Sequence, residues 1–276
     1  MTENQIIKKT NIRKIPSALL SNRGKIRENN EDRLAVCNFI STEKPARDIL
    51  LAVLSDGVGG HQAGEVAAQL GVDMMVEAVN SLHSLVDPGR TLADAVLVAN
   101  LAVLEKGKDN PHLDGMGATL MAALIIHRTL YLAYLGDSRA YLLRGRSICL
   151  LNYEHTWLSE AAENGMSGFQ DTSRNHPMAH VLSRYLGSAH PAPVDTRIRQ
   201  CKPLIRKKQD NFEKLTLRKG DRLLLCSDGL TDMLTDDQIR ATGKGKPLEL
   251  SVEHLVQDAL ASGGHDNVSV ILVEIP

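Results

Sequence analysis

The chain has 276 residues, enough for one large domain or two small ones. Hydrophobic residues make up 43% and charged residues 24%, which is ordinary for a globular protein, and only 3% aromatic residues imply a mostly aliphatic core. Thirty-two basic and thirty-three acidic residues leave a formal net charge of −1, so no overall field attracts nucleic acid or a membrane, and we expect neither partner.

Residues 1–16 form a polar lead-in, followed by a single predicted domain at 17–276. The segment from Met1 to Asn11 lacks the apolar stretch of a signal peptide. No apolar run reaches the roughly 18 residues needed to span a bilayer. We therefore expect a cytoplasmic protein, and we expect it to be a monomer.

The first predicted elements are a strand and two helices. A continuous apolar run at Ile49–Leu54 predicts a strand that is buried on both faces. A polar stripe and an apolar stripe on opposite sides then predict an amphipathic helix, which ends at Pro88-Gly89. The polar stripe consists of Glu65, Gln69, Asp73 and Glu77, and the apolar stripe of Leu70, Met74, Ala78, Leu82 and Leu85. Thr91, with Asp94 three residues on, predicts the start of a second helix. This helix is apolar nearly all round, which indicates that it lies between layers.

The rest of the chain alternates between strands and helices. Strands are predicted at Thr119–Ile126, Leu130–Leu135, Ala140–Leu143, Arg222–Cys226 and Val268–Glu274, and helices near Trp157–Asn164, Asp236–Thr242 and Val252–Ala261. Adjacent strands joined by tight turns, interrupted by helix pairs, are typical of antiparallel sheets with segregated helices. We predict an α+β fold: a four-layer α-β-β-α sandwich of two antiparallel β-sheets flanked by helix pairs.

The four cysteines, Cys37, Cys149, Cys201 and Cys226, are far apart in the sequence and form no C-x-x-C pair. We interpret them as reduced thiols of a cytosolic protein, not as a disulfide framework or a zinc site. No cysteine lies in a C-x5-R loop, which argues against a thiol nucleophile. Cys226, within a predicted buried strand, is interpreted as a core residue.

Carboxylates stand at the ends of several predicted strands. Two strands of similar sequence end in Ser-Asp-Gly and deliver Asp56 and Asp228. A third strand ends in Gly-Asp-Ser at Asp137, Asp266 precedes the last strand, and the pair Glu31-Asp32 precedes a short apolar run. A lone Asp-Gly is usually only a turn. Strand ends of one sandwich can converge, however, and converging carboxylates repel one another unless a cation lies between them.

The chemistry of this acidic set indicates a hard cation. Oxygen ligands without histidine or cysteine at ligand spacing favour Mg²⁺ or Mn²⁺ over zinc. His155, His176 and His180 show no such spacing and are interpreted as flap or surface residues, and His265 as a neighbour of a ligand. The sequence contains no calcium-binding EF-hand loop.

At these residues the sequence closely resembles the PPM family of metal-dependent protein phosphatases (type 2C), especially its compact bacterial members. The resemblance runs from about Ser21 to Ile275. It is carried by seven motifs in family order: Gly24–Asp32, Asp56–His61, Gly117–Thr119, Gly136–Leu142, Val181–Gly187, Ser227–Asp232 and Gly264–Asn267. Each is weak alone, whereas all seven in order are specific.

The resemblance implies a phosphatase that hydrolyses phosphoserine and phosphothreonine by attack of a metal-activated water. It implies phosphorylated proteins as substrates, an opposing Ser/Thr kinase, and two Mn²⁺ or Mg²⁺ ions per active site with a third at a weaker site. Asp56 matches the ligand that bridges two metals, with the Gly57 carbonyl as a further ligand. Arg27 matches the arginine that grips the substrate phosphate, and residues 152–187 match a mobile flap.

The other implied ligands divide among three metals. Asp228 and Asp266 complete the first metal. Glu31 holds the second, largely through bound water, with Asp32 in support. Asp137 and Asp232 match the positions of the third.

The sequence also departs from the family pattern. Val58 occupies the position where eukaryotic members have a histidine that is a candidate general acid, and His61 follows three residues later, so the acid for the leaving group is unassigned. Ala118 replaces a threonine, which we expect to be tolerated. The basic stretch 199–211 is either a solvated loop or a contact for acidic or phosphorylated partners.

Arg27 could form a surface ion pair with Glu28 or Glu31 instead of binding phosphate.

Alternative functions of the whole chain also stay open at this point. The chain could be a catalytically silent phosphoprotein-binding module of the same fold, although every carboxylate position is filled. It could also be a phosphatase of an anti-sigma-type regulatory switch protein, or a non-enzymatic calcium module.

Overall fold

The computed structural model describes residues 14–41, 45–58, 63–81, 86–165, 176, 178–188, 193–201 and 211–276. Its strands are β1 (Ser17–Asn22), β2 (Arg33–Ile40), β3 (Asp48–Ser55), β4 (Gly57–Val58), β5 (Gly117–Ala118), β6 (Leu120–Ile126), β7 (Thr129–Leu135), β8 (Arg139–Arg144), β9 (Ser147–Leu150), β10 (Ile198–Arg199), β11 (Asn211–Phe212), β12 (Leu215–Thr216), β13 (Arg222–Cys226) and β14 (Val268–Glu274). Its helices are α1 (Gly64–Asn80), α2 (Pro88–Asp109), α3 (Trp157–Glu163), α4 (Asp228–Thr231), α5 (Asp236–Thr242) and α6 (Leu248–Ala261).

Two five-stranded antiparallel sheets form the centre of the molecule. One has the strand order β1-β14-β13-β8-β9, and the other has the order β12-β7-β6-β3-β2. The central strands β3, β6 and β13 are almost entirely apolar and buried, as expected for strands covered on both faces. A first core of mainly aliphatic side chains fills the space between the sheets.

Helices cover the outer face of each sheet. The pair α1 and α2 packs on the sheet that contains β3 and β7, with a second core between them. On the opposite side α6 packs on β1 and β14, with a third core beneath it and α5 beside it. The predicted four-layer α-β-β-α sandwich is therefore confirmed.

The second helix differs from its prediction at both its start and its surface. It begins at Pro88, with Asp87 as the N-cap whose side chain accepts a hydrogen bond from the Arg90 amide (3.1 Å). Proline suits this first helical position because its missing N–H would have no partner there. The outer face of α2 exposes Leu97, Val98 and Leu101, so the expectation of burial all round is wrong. The helix lies in an outer layer, and only one side of it packs.

One pair of cysteines also contradicts the sequence interpretation. The structure joins Cys149 and Cys201 by a disulfide, with Cα atoms 6.0 Å apart. The two chain segments are already neighbours, because the Arg199 amide donates to the Leu151 carbonyl (2.6 Å). The 52-residue separation between the cysteines concealed a contact that tertiary packing creates.

Some predictions concern residues outside the described part of the chain. They include most of the lead-in, the helix positions Leu82 and Leu85, His61, part of the flap, and residues 202–210 of the basic stretch. Within the described residues, no helix combines the length and the apolar character needed to cross a membrane.

Candidate active site

The two central sheets bring the predicted carboxylates to one end of the sandwich. Asp56 follows β3, Asp228 follows β13, Asp137 follows β7 after one glycine, and Asp266 lies two residues before β14. Eight of the nine predicted site residues line one open cleft of about 920 Å³: Arg27, Glu31, Asp56, Gly57, Asp137, Asp228, Asp232 and Asp266. The ninth, Asp32, is buried with 3% of its surface exposed.

Thr119 fixes the backbone that carries Asp56. The Asp56 amide donates to the Thr119 hydroxyl (3.0 Å), and the Thr119 amide donates to the Asp56 carbonyl (2.8 Å). The same hydroxyl lies 2.8 Å from the hydroxyl of Ser138, next to Asp137. A buried threonine thus holds two of the strand-end aspartates in a fixed relation.

Glycines allow the Glu31 loop to approach β4 and α1 closely. A Cβ atom on Gly57 would lie 2.4 Å from the Gly64 carbonyl carbon and 2.9 Å from the Glu31 Cβ. A Cβ atom on Gly64 would lie 2.5 Å from Glu31 Oε2. A side chain at Gly57 would clash first with the Gly64 backbone, and a side chain at Gly64 would clash with the Glu31 carboxylate.

Asn267 is a site residue to which the sequence analysis assigned no role. Its side-chain oxygen accepts from the Glu31 amide (2.8 Å), and its side-chain amide donates to the Asn29 and Arg23 carbonyls (both 2.9 Å). Only 5% of Asn267 is exposed. This one side chain ties the Arg23–Glu31 loop to the start of β14, and the polar residue at the edge of a buried strand was the available signal.

Burial and neighbouring carboxylates raise the pKa values of three carboxyl groups of the cluster, those of Asp56, Asp32 and Glu31. The pKa of Asp56 lies well above its ordinary value; burial is the largest cause, and neighbouring carboxylates are the next, namely Asp32, Asp228, Asp137 and Asp266. Burial raises the pKa of Asp32 to about 6, although hydrogen bonds from Ser269 and Ser227 lower it. Burial also raises the pKa of Glu31, with Arg27 opposing the shift.

These features fit a divalent cation centre. Asp32 Oδ1 is buried and has no hydrogen-bond partner among the described residues, while its other oxygen accepts from the Ser227 hydroxyl (3.0 Å). Several carboxylates that disfavour one another's ionisation are stabilised when cations lie among them. The donors are carboxylate and carbonyl oxygens, which suit Mg²⁺ and Mn²⁺.

Arg27 faces the same cleft. Its guanidinium donates to Asp266 Oδ2 (2.6 Å), and 52% of its side chain is exposed. The hydrogen bond to Asp266 raises the pKa of Arg27, so the side chain stays cationic. The ion pair considered for Arg27 in the sequence analysis involves Asp266, not Glu28 or Glu31.

His155 and His180, both interpreted from the sequence as flap or surface residues, lie in different environments. His155 is buried, accepts from the Gly136 amide through Nδ1 (3.2 Å), and has Nε2 3.4 Å from Asp195 Oδ2. His155 is therefore a core residue that supports the turn before Asp137; it lies within the predicted flap range 152–187 but not at the surface. His180 lines the cleft, with Nδ1 3.8 Å from Asp232 Oδ2.

Comparison with known proteins identifies the family. The model of the protein phosphatase 2C family matches residues 25–261. The chain belongs to the protein phosphatase 2C family. It is 30% identical over 258 residues to the serine/threonine phosphatase stp of Listeria monocytogenes, covering 92% of this chain and 93% of that protein. It is 30% identical over 261 residues to the protein phosphatase PhpP of Streptococcus pneumoniae, covering 94% and 96%.

Solved structures of this family share the fold. The serine/threonine phosphatase PstP/Ppp of Mycobacterium tuberculosis superposes with a TM-score of 0.78 at 31% identity, over 94% of this chain and 98% of that one. A PstP catalytic domain in complex with two manganese ions superposes with a TM-score of 0.72 at 31% identity, over 94% and 97%. The chain is thus a serine/threonine protein phosphatase, as the sequence resemblance implied.

Proposed function

We propose that residues 17–276 form one phosphatase domain that removes phosphate from phosphoserine and phosphothreonine of proteins, using a centre of two Mn²⁺ or Mg²⁺ ions. The proposal is supported chiefly by one observation: carboxylates from remote parts of the chain meet in one cleft, where burial, together with these neighbours, raises the pKa of Asp56. The manganese-bound PstP domain of the same family adds support.

The proposed ligands follow the sequence assignment. Asp56 would be shared by two cations, with the Gly57 carbonyl as a further ligand. Asp228 and Asp266 would complete the first site, and Glu31, supported by Asp32, would form the second. Asp137 and Asp232 hold a third cation. Two cations held by these residues would lower the pKa of a water molecule and neutralise charge on the phosphoryl oxygens of the substrate.

Residues of the chain itself position the substrate phosphate and the acidic ligands. Arg27 presents a planar pair of donors on the open side of the cleft, and this geometry suits two phosphate oxygens. Asn267 accepts from the Glu31 amide and Thr119 accepts from the Asp56 amide, so the backbone at both acidic residues is held by hydrogen bonds of the chain itself. Val58 lines the cleft where eukaryotic members carry a histidine, and its side chain has no proton to donate.

The direct test of this function is release of phosphate from phosphoserine and phosphothreonine peptides. We expect turnover with Mn²⁺ or Mg²⁺, none with excess chelator, and recovery when Mn²⁺ is restored. Phosphate release that is unaffected by the chelator would contradict the proposed centre. A folded protein that binds Mn²⁺ and phosphopeptide without turnover would instead indicate a silent binding module.

The role of Arg27 is tested by Arg27→Ala and Arg27→Lys. Losing a hydrogen bond to a charged group costs about 1.5–3 kcal/mol, so we expect KM for a phosphopeptide to rise about 10–100-fold in Arg27→Ala. Arg27→Lys should recover only part of this, because an ammonium lacks the planar pair of donors. Both are measured at saturating Mn²⁺, since Arg27 also contacts the proposed ligand Asp266. An unchanged KM would remove Arg27 from phosphate binding.

A further inference from the structure

Two histidines are among the described residues that line the cleft, His112 and His180. The other ionisable lining residues are Arg27 and carboxylates, most of which are proposed cation ligands. Arginine does not give up its proton near neutral pH, and a carboxyl group is ordinarily ionised there. Imidazole is the side chain that ordinarily exchanges a proton near neutral pH. The two histidines are therefore the described side chains of the cleft best suited to deliver a proton to a substrate.

The two histidines differ in what surrounds them. His180 has Nδ1 3.8 Å from Asp232 Oδ2, so its ring faces a proposed cation ligand. His112 is exposed, and no described residue forms a hydrogen bond or an ion pair with its ring. Of the two, His112 is thus the one whose ring nitrogens are open to a substrate in the described part of the chain.

The turn that carries His112 is tied to the backbone beside Asp56. It is a short 3-10 turn, Pro111–Leu113, between α2 and β5. The Asn110 side chain accepts a hydrogen bond from the His112 amide (3.1 Å), which holds the start of this turn. β5 then pairs with β4, the strand that directly follows Asp56. Backbone pairing thus connects the His112 turn to the strand at the centre of the proposed cation site.

The leaving oxygen of a substrate departs toward the open side of the cleft. In an in-line displacement the leaving oxygen lies opposite the attacking oxygen. The carboxylates stand at the strand ends, where Asp137 is only 7% exposed, whereas His112 is exposed. Water that attacks from the side of the carboxylates therefore expels the leaving oxygen toward the side where His112 lies. A serine or threonine alkoxide is a poor leaving group, so a proton delivered to it lowers the barrier.

We propose that His112 is the general acid for the departing serine or threonine oxygen. Water attacks phosphorus, the bond between phosphorus and the side-chain oxygen breaks, and this oxygen keeps the electron pair. The imidazolium of His112 gives its proton to that oxygen, so a neutral hydroxyl leaves and inorganic phosphate remains. The ring then takes up from solvent the proton that the attacking water released. The inference rests on the proposed function, because it names the proton donor of the same hydrolysis.

Substrates with different leaving groups separate proton donation from binding. A nitrophenolate leaves readily without a proton, a phenolate less readily and a serine alkoxide least. In His112→Asn we expect kcat for a phosphoserine peptide to fall about 100-fold or more, and kcat for p-nitrophenyl phosphate to stay within about threefold. Phenyl phosphate, which is similar in size to p-nitrophenyl phosphate, should show an intermediate loss. The matched control, His180→Asn, should show no dependence on the leaving group. Equal effects on all three substrates in a folded His112→Asn protein would overturn the proposal.

Nuclear magnetic resonance tests the contact between His112 and the substrate without turnover. In Asp56→Asn with Mg²⁺ present, the ¹H–¹⁵N signals of the His112 ring are assigned by their absence in the double variant with His112→Asn. We expect a saturating phosphoserine peptide to shift these signals, and the same peptide without phosphate to leave them unchanged. Ring signals that do not move at saturation would exclude His112 as the donor.

The role of His112 and the proposed function can fail separately. Wild-type protein that hydrolyses none of the three substrates with Mn²⁺ would refute the proposed function together with the role of His112. Normal wild-type turnover, without any leaving-group dependence in His112→Asn, would refute only the role of His112. His61 is the rival donor in the sequence: a leaving-group-dependent loss in His61→Asn but not in His112→Asn would assign the proton to His61 instead.

Discussion

Asp56→Asn is expected to abolish turnover while the protein stays folded. Asp56 is proposed as the ligand that two cations share, and losing several kcal/mol of charge stabilisation corresponds to a fall in kcat of about 1,000-fold or more. Asp228→Asn should behave in the same way. The measurement is phosphopeptide turnover at saturating Mn²⁺, with circular dichroism and thermal unfolding as the folding check.

Asp73→Asn is the matched control for these variants. Asp73 is exposed on α1, where it accepts a hydrogen bond from the Gln69 side chain (2.9 Å), and it does not line the cleft. The substitution makes the same change of charge and should leave kcat within about twofold, because surface changes are usually small. Near-normal turnover in Asp56→Asn would refute its assignment as the shared ligand.

The second large expected effect is on the stability of the metal-free protein. Burial raises the pKa of Asp32 from 3.8 to about 6 and also raises the pKa of Asp56 well above its ordinary value. The folded state therefore holds protons more tightly than the unfolded state. The resulting stabilisation is complete below about pH 4 and is lost as pH rises through the folded pKa values. For Asp32 alone the loss is about 2–3 kcal/mol, at about 1.4 kcal/mol per pKa unit.

Chemical denaturation between pH 4 and pH 8, with chelator present, measures this effect. We expect the free energy of unfolding attributable to the site to fall over this range in the wild type and to fall less in Asp32→Asn and Asp56→Asn. Both variants should then be more stable than the metal-free wild type at pH 8. Saturating Mn²⁺, at about 100 times its dissociation constant, should restore about 2.7 kcal/mol to the wild type. Wild-type and variant curves that stay parallel across this range would contradict the electrostatic account.

The sequence predicted the central strands well because they carry strong local signals. β13 and β14 have the predicted bounds, since both are short and mostly apolar: β13 contains three consecutive leucines and β14 contains five aliphatic residues. The edge strands β1 and β2 were not predicted as full strands. Their side chains are mixed in polarity because one face is only partly covered, so periodicity alone could not separate them from loops.

The candidate site also contains some residues that the sequence indicated and others that it did not. Asp56 and Asp228 could be selected because each follows a buried strand, and the repeated Ser-Asp-Gly drew attention to both. Asn267 and His180 could not be given roles, because their partners are brought near only by folding; Asn267 bonds to Glu31, 236 residues away. The Cys149–Cys201 pair was missed for the same reason. The carboxylates could be predicted because each stands at a strand end or in a family motif, whereas residues without such a local signal could not be assigned a partner from another element.

The central claim is that acidic side chains from distant segments hold divalent cations in this cleft. Anomalous diffraction from crystals grown with Mn²⁺ tests it most directly. We predict two strong manganese peaks roughly 3.5–4 Å apart, both in contact with Asp56, one also with Asp228 and Asp266 and the other facing Glu31. A manganese-saturated crystal without anomalous density between these carboxylates would contradict the account.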